Sequence, residues 1–137
     1  MRAVWVTLFL FFIPLHSADN MKTVRSIVID TQESLVWQDN REAVEDIWKM
    51  ANAYCKQLHL NNSDIWRLPT KEELIELSKN QNLKQDFVFL QKGVYWSSEI
   101  DKNDEFSALT VYTGNGFVSS SDKCEKYFVM CVRDLEI

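Results

Sequence analysis

The sequence is poor in the residues that reactive and metal-binding sites need. Its 137 residues include only two histidines and three cysteines. His16 lies in an N-terminal apolar segment, so a Ser-His-Asp triad would depend on His59 alone. Cys55 and His59 are four residues apart, but two ligands without further cysteine or histidine nearby do not make a zinc site. These shortages argue against hydrolytic catalysis, and we expect no metal and no cofactor.

Basic residues are outnumbered by acidic ones. Lysine and arginine total 15 against 20 aspartates and glutamates, which gives a net charge of −5, and no polybasic run occurs. Nucleic acid and anionic lipid are therefore poor candidate partners, because both bind mainly through clustered positive charge. Charge of this sign and size serves solubility instead.

Residues 1–18 have the three-part pattern of a secretory signal peptide. Arg2 precedes an apolar run, and the small residues Ser17 and Ala18 close the segment, so we expect cleavage after one or the other. The run is shorter than the ~20 residues that span a bilayer, which disfavours a membrane anchor. We expect a periplasmic or secreted protein with no stable membrane span after cleavage, and residues 19–137 as a single domain.

Apolar spacing predicts a hairpin followed by a helix. Two runs rich in β-branched residues, 24–30 and 35–37, flank a short polar break, as in a β-hairpin. From Val44 to Leu58, apolar residues then recur every three or four positions. This spacing predicts an amphipathic helix that begins with Asp39 or Asn40 as its cap and ends near Leu60.

A capping box predicts a second helix, and strands follow it. Thr70 and Glu73 have the spacing of the box, and Pro69 precedes them. The later strands are predicted at 94–100, 106–112, 117–120 and 127–133. We interpret the last of these as one central strand, because it is the most apolar. A hairpin, two helices and an antiparallel meander predict an α+β fold.

Five motifs occur in series along the chain. They are Val36-Trp37-Gln38-Asp39, Ala53-Tyr54-Cys55, the run from Trp66 to Leu74, Tyr95-Trp96-Ser97-Ser98-Glu99 and Met130-Cys131-Val132-Arg133. In this order they resemble the Lcl C-terminal domain, which is found at the C-terminus of the Legionella collagen-like adhesin. That family is similar in fold to C-type lectins and to formylglycine-generating enzymes. The resemblance implies a compact C-type-lectin-like domain with a twisted antiparallel sheet, two helices and neighbouring termini.

The resemblance also implies a disulfide between the first helix and the last strand, which here joins Cys55 to Cys131. Cys55 lies on the apolar face of the predicted helix and Cys131 lies in the most apolar predicted strand, which agrees with this pairing. The cysteine count alone leaves three pairings open, and Cys124 with Cys131 is the competing pair. If Cys55 and Cys131 pair, Cys124 is an unpaired thiol in a polar stretch. We interpret the following motif residues as structural: Trp37, Trp66, Arg67, Pro69, Trp96 and Arg133.

Loops are the expected place for a ligand, because a rigid scaffold leaves them free to vary. Three loops qualify, at 84–93, 101–105 and 113–117. The loop 101–105 is acidic and could hold calcium through oxygen ligands. The spacing of an EF-hand is absent, however, and a solvated turn fits the sequence better. The calcium-binding motifs of sugar-binding C-type lectins are also absent. The candidate ligand-surface residues are Asp101, Asn103, Asp104, Tyr112 and Phe117.

These observations predict an exported, non-catalytic binding module whose partner is a carbohydrate or an envelope protein. The adhesin's binding to sulfated polysaccharides is not transferred, because the chain lacks a basic patch. Two alternatives stay open. One is a copper-dependent oxidase related to formylglycine-generating enzymes, which needs two reactive cysteines in one pocket. The other is a subunit of an envelope assembly in which Cys124 bridges two chains.

Overall fold

The structure is a computed structural model that describes residues 26–41 and 44–136. Its elements in chain order are β1 (Ile27–Asp30), β2 (Leu35–Gln38), β3 (Val44–Asp46), α1 (Trp48–Gln57), α2 (Lys71–Lys79), α3 (Gln81–Lys84), β4 (Val94–Asp101), β5 (Asp104–Tyr112), β6 (Val118–Asp122), β7 (Tyr127–Val129) and β8 (Val132–Asp134). The predicted α+β class is confirmed. The predicted signal peptide and the first residues of the predicted hairpin lie outside the described residues.

A three-stranded sheet brings the two ends of the described chain together. Its strand order is β1-β2-β8, with both outer strands antiparallel to β2. Trp37 in the central strand lies opposite Val28 on one side and Val132 on the other. Arg67 extends the sheet beyond β8, because its backbone exchanges hydrogen bonds of 2.9 and 2.8 Å with Val132. The first and last strands are therefore held by a single partner.

A five-stranded sheet in the order β3-β7-β4-β5-β6 carries the longer strands. All its pairs are antiparallel except β4 with β7, which meet in parallel at Tyr95 and Phe128. The predicted antiparallel meander is confirmed for β4, β5 and β6, whereas β7 pairs with β3 and β4 and not with β6. Among the described residues no helix has both the length and the apolar character needed to cross a membrane.

Two layers of apolar side chains cover the sheets. Leu74 and Leu77 of α2 pack with Tyr95 and Val111. Around α1, a second group is built from Ala51, Cys55, Trp66, Leu68 and Trp96. Burial of this kind contributes about 25 cal/mol per Å² of apolar surface, so these layers are the main stabilising term of the fold.

The first helix is shorter than predicted, because the start of the predicted helix is a strand. Val44–Asp46 forms β3 and pairs with β7, and α1 begins at Trp48 with Ile47 as a cap that makes no side-chain hydrogen bond. Asp39 and Asn40, the predicted caps, lie before β3. Val44 fits a helical stripe and an edge strand equally well, so the period alone did not separate the two. Pairing with the free edge of β7 decides the outcome.

The predicted strand 127–133 is wrong as a single element. It divides into β7 and β8, which belong to different sheets, and Met130 and Cys131 form the crossing between them. Gln38 holds that crossing: its backbone N–H donates to the Cys131 carbonyl, and its Oε1 accepts the Cys131 N–H, both at 2.9 Å. A uniformly apolar run does not show where a chain changes sheets.

The capping box of the second helix is confirmed. Thr70 Oγ1 accepts the Glu73 N–H at 3.1 Å, and Glu73 Oε1 accepts the Thr70 N–H at 2.8 Å. A short third helix, which was not predicted, follows at once, because Asn80 ends α2 and its side chain accepts the Leu83 N–H of α3. The sequence predicts two helices only, because the polar residues 80–82 give no apolar period.

The disulfide between Cys55 and Cys131 is confirmed. It joins α1 to the residue just before β8, with the two Cα atoms 5.5 Å apart and both side chains fully buried. Cys124 is free and exposed.

Candidate functional site

The five candidate ligand residues lie at two opposite ends of the five-stranded sheet. Asp101, Asn103 and Asp104 are in the β4–β5 hairpin, whereas Tyr112 and Phe117 flank the β5–β6 turn. Asp104 and Tyr112 are the first and last residues of β5, so roughly 27 Å separates them. The candidates therefore do not form one surface. We name the two regions the hairpin end (residues 100–106 and 122–126) and the cleft end (residues 81–93 and 112–117).

At the hairpin end, the acidic side chains shape the turn. Asp101 accepts hydrogen bonds from Ser120 Oγ at 2.6 Å and from the Asn103 N–H at 2.8 Å. The bond from Ser120 and then that from Asn103 hold the pKa of Asp101 below its usual value. Asp104 accepts from the Phe106 N–H and from Ser107 Oγ. These bonds account for both carboxylates as groups that stabilise the turn.

A metal site is also not indicated elsewhere in the part of the chain that is described. Within residues 26–41 and 44–136, no group of three histidine, cysteine or acidic side chains is arranged to hold an ion. The Cys55–His59 pair has no free thiol, because Cys55 is bonded to Cys131.

At the cleft end, two of the three loops expected to carry a ligand meet. An open cleft of ≈ 400 Å³ lies between α3, the loop after it and the β5–β6 turn. Two other surface hollows of similar size are each built mainly from one short stretch, at 59–64 and at 76–82. Of these three open hollows in the described chain, the cleft is the one that joins three separate segments. Its lining residues are Gln81, Lys84, Leu90, Gln91, Lys92, Thr113 and Gly114.

Thr113 ties the two loops of the cleft together. Its side chain is buried, donates to the Gln91 carbonyl at 2.7 Å and accepts the Gly93 N–H at 3.0 Å. Its backbone N–H donates to the Gly93 carbonyl at 2.9 Å. Three bonds at one residue fix the distance between the walls, so the cleft is formed before any ligand arrives.

Lys84 closes the floor of the cleft. Its ammonium donates to the Ser78 carbonyl at 3.1 Å and to the Thr113 carbonyl at 2.9 Å. An ammonium has three donors, so one is left for solvent or a ligand. Because both partners are neutral carbonyls, the positive charge is held in place without being neutralised.

Asp39 and Tyr95 hold the loop from below. Asp39 is 5% exposed, and its two oxygens accept the backbone N–H groups of Phe89 at 2.8 Å and Val88 at 2.9 Å. The Tyr95 hydroxyl accepts the Gln91 N–H at 2.9 Å. Burial raises the pKa of Tyr95 to about 12, which keeps the phenol neutral. Sequence reasoning missed this role of Asp39, although an acidic residue directly after a buried strand was a signal for it.

Tyr112 is the aromatic residue beside the cleft. A Cβ on Gly114 would lie 2.5 Å from a Tyr112 ring carbon, so the ring rests directly on that glycine. Gly116 has φ +84°, a conformation that other residues adopt at a cost. The Tyr112 N–H donates to the Phe117 carbonyl at 2.9 Å, so the two aromatic residues lie on opposite sides of the turn. Phe117 is 67% exposed.

The motif residues lie in the core or brace it. Trp37, Trp66, Pro69 and Trp96 are buried. The Trp96 indole donates to the Asp46 carbonyl at 2.8 Å, which fastens β4 to β3. None of these four lines the cleft.

Arg67 and Arg133 brace the chain near β8. Arg67 pairs with Glu73 at 2.8 Å and with Asp134 at 3.0 Å, and the bond to Glu73 raises the Arg67 pKa further above its usual value. The Arg67 side chain is 38% exposed, and its two ion pairs link α2 to β8 near the surface. Arg133 lies over the Trp66 ring at 5.2 Å.

Comparison with known protein families finds a match that covers most of the chain. The model of the Lcl C-terminal domain matches residues 26–133, which include all five motifs. A search of curated proteins found no match.

Proposed function

The chain belongs to the Lcl C-terminal domain family, and on that premise we propose that it is an exported, non-catalytic binding module with a C-type-lectin-like fold. The family points to an adhesin-associated module. The lectin-like assignment is supported by the neighbouring first and last strands and by the disulfide from α1 to the residue before β8. We assign ligand binding to the cleft end.

The observation that carries this proposal is the convergence of two loops on one preformed cleft. Binding sites are typically concave and carry a few fixed polar groups among apolar ones. Here the polar residues Gln81, Lys84 and Gln91 line the same space as Leu90, and Tyr112 rests on the lining residue Gly114. Because Thr113 already sets the width of the cleft, little ordering entropy is lost on binding.

We propose a carbohydrate as the ligand. A sugar presents hydroxyl groups that bond to amides and ammonium groups, together with CH faces that pack on aromatic and aliphatic side chains. None of the residues that line the cleft is acidic. Recognition here is therefore independent of calcium, in agreement with the missing calcium motifs of the sequence.

The absence of catalysis is part of the proposal and rests mainly on the cysteines. The oxidase alternative needs two reactive thiols, whereas Cys55 and Cys131 are joined and buried. Titration of thiols in denaturant without reductant should find one per chain, from Cys124. Three thiols per chain together with tight copper binding would support the oxidase instead.

Export is proposed from residues 1–18 and is supported by the disulfide, which persists in oxidising compartments. N-terminal sequencing of the protein recovered from the periplasm or the medium tests it. A mature chain that starts at Ala18 or Asp19 is expected. A full-length chain that stays with the cytoplasm would contradict export.

A glycan array with the mature protein tests ligand class and site together. We expect the same glycans to bind with and without EDTA. Lys92→Ala, at the exposed rim of the cleft, should weaken binding, whereas the matched control Lys102→Ala in the β4–β5 turn should not. A blank array would reject the carbohydrate and favour a protein partner. Equal binding by both variants and by Gln81→Ala would reject the cleft.

A further inference from the structure

Gln38, at the end of β2, is held by four hydrogen bonds. Its backbone N–H donates to the Cys131 carbonyl, and its Oε1 accepts the Cys131 N–H. Its Nε2 donates to the Tyr54 hydroxyl at 2.9 Å and to Asn40 Oδ1 at 3.0 Å. The residue is 7% exposed, so its side chain is fixed in the interior. Gln38 therefore joins three parts of the fold, which are β2, α1 and the crossing between β7 and β8.

The bond from Gln38 to Asn40 spans the residue between them, Asp39. It ties together the backbone on both sides of Asp39, and the Asp39 N–H donates to the Ser26 carbonyl at 2.8 Å. With its backbone fixed in this way, Asp39 directs both carboxylate oxygens at two N–H groups of the cleft loop, which we define as residues 85–93. A supporting group is only as well placed as the residues that hold it. The position of the cleft loop therefore depends on Gln38.

The disulfide holds the partners of Gln38 in place. Cys131, to which Gln38 bonds twice, is joined to Cys55 of α1. Tyr54, the partner of Gln38 on α1, is the residue next to Cys55. The cleft loop itself contains no helix or strand, so its conformation is set by the contacts that reach it from such fixed elements.

We propose that Gln38 is a positioning residue for the cleft. It fixes Asp39, and through Asp39 the backbone N–H groups of Val88 and Phe89, relative to the disulfide-bonded crossing. Gln38 does not line the cleft, so its effect passes through Asp39. That the cleft binds a ligand rests on the proposed function, whereas the support of the cleft loop by Gln38 does not.

Amide hydrogen exchange of the mature protein, measured residue by residue by NMR, tests this role without a ligand. Gln38→Ala should speed exchange at Val88 and Phe89 roughly tenfold, because their acceptor is no longer held in place.

Two amides in the same loop give the internal comparison. The Gln91 N–H donates to the Tyr95 hydroxyl, and the Gly93 N–H donates to Thr113 Oγ1, so other groups hold them. Their exchange should rise by less than about threefold in the Gln38→Ala variant. A variant that only destabilised the fold would speed all four amides by the same factor.

Two further variants show whether the effect is specific. Asn40→Ala removes the bond that spans Asp39 and changes a residue that is only partly buried, so this variant should fold. It should show the same selective rise, of about threefold, at the two amides that Asp39 holds. Ser121→Ala, the matched control, removes a buried bond of 2.8 Å to Thr110 between β6 and β5 and should give no selective rise.

Equal acceleration of all four amides in Gln38→Ala, or no selective rise in Asn40→Ala, would overturn the proposal. If Gln38→Ala does not fold, Asn40→Ala decides alone. The glycan array keeps this result separate from the proposed function. A selective rise with a blank array supports the positioning role and rejects the carbohydrate, whereas glycan binding without a selective rise rejects the positioning role alone.

Discussion

Asp39→Asn is the substitution that most directly tests how the cleft is built. The Asp39 carboxylate is buried and accepts two backbone N–H groups, from Val88 and Phe89. Asparagine has nearly the same shape but offers one acceptor oxygen, and its NH₂ group would face the second donor. The variant loses one charge-assisted hydrogen bond, replaces the other by a weaker neutral bond, and turns an NH₂ group towards the donor that is left.

The magnitude follows from the lost charge. A hydrogen bond to a charged group contributes about 1.5–3 kcal/mol and a neutral one about 0.5–1.5 kcal/mol. Because one bond is lost and the other is weakened, we expect the free energy of unfolding to fall by about 3 kcal/mol. Urea denaturation measures the fall, and amide hydrogen exchange should show faster exchange at Val88 and Phe89.

Asp30→Asn is the matched control. Asp30 is also 5% exposed, but it accepts a single backbone bond at 3.2 Å, in the β1–β2 turn and far from the cleft in sequence. It should lose less stability and leave exchange at the cleft loop unchanged. A loss below about 0.5 kcal/mol for Asp39→Asn, with unchanged exchange, would refute the view that Asp39 holds the loop.

Three further outcomes follow from the structure. Replacing Cys55 and Cys131 together by alanine should lower the free energy of unfolding by about 4.5 kcal/mol, since the bridge closes a separation of 76 residues, and a fall under 1 kcal/mol in urea would contradict this. Gly116→Ala should cost about 1 kcal/mol because φ is +84°, and a thermal midpoint equal to wild type would oppose that account. Tyr95 stays protonated in the fold while the unfolded chain ionises near pH 10, so its stabilisation is complete below pH 10 and is lost as pH rises towards 12. Tyr95→Phe should therefore show a flatter stability profile in this range, and identical profiles would reject burial of the phenol.

Local signals in the sequence predicted well where one short-range contact decides the structure. The Thr70–Glu73 capping box fixed the start of α2, and the strands around the Gly116 turn follow from a residue that accepts positive φ. Contacts between distant segments could not be predicted from the sequence. Val44 fits a helix until the edge of β7 is known, and the run 127–133 shows no sign that it crosses between sheets.

The candidate site was predicted in pieces. The sequence named the loops 84–93 and 113–117 but did not show that Thr113 joins them, because that contact spans 22 residues. It also grouped Asp101 with Tyr112, which the length of β5 separates. The aromatic and amide residues were visible from composition, whereas their arrangement depends on how β4 and β5 pair.

The three-stranded sheet has a mechanical consequence for the chain. A force that pulls the chain ends apart acts on β1 and β8, which are both paired with β2. If that sheet unfolds, the disulfide between Cys55 and Cys131 still keeps the shielded segment, the chain between these two cysteines 76 positions apart, from being extended. At 3.3–3.6 Å per residue this hides roughly 260 Å of contour length. The residues that line the cleft lie within the shielded segment, whereas Asp39, which holds the cleft loop, lies outside it and would be pulled away from that loop first.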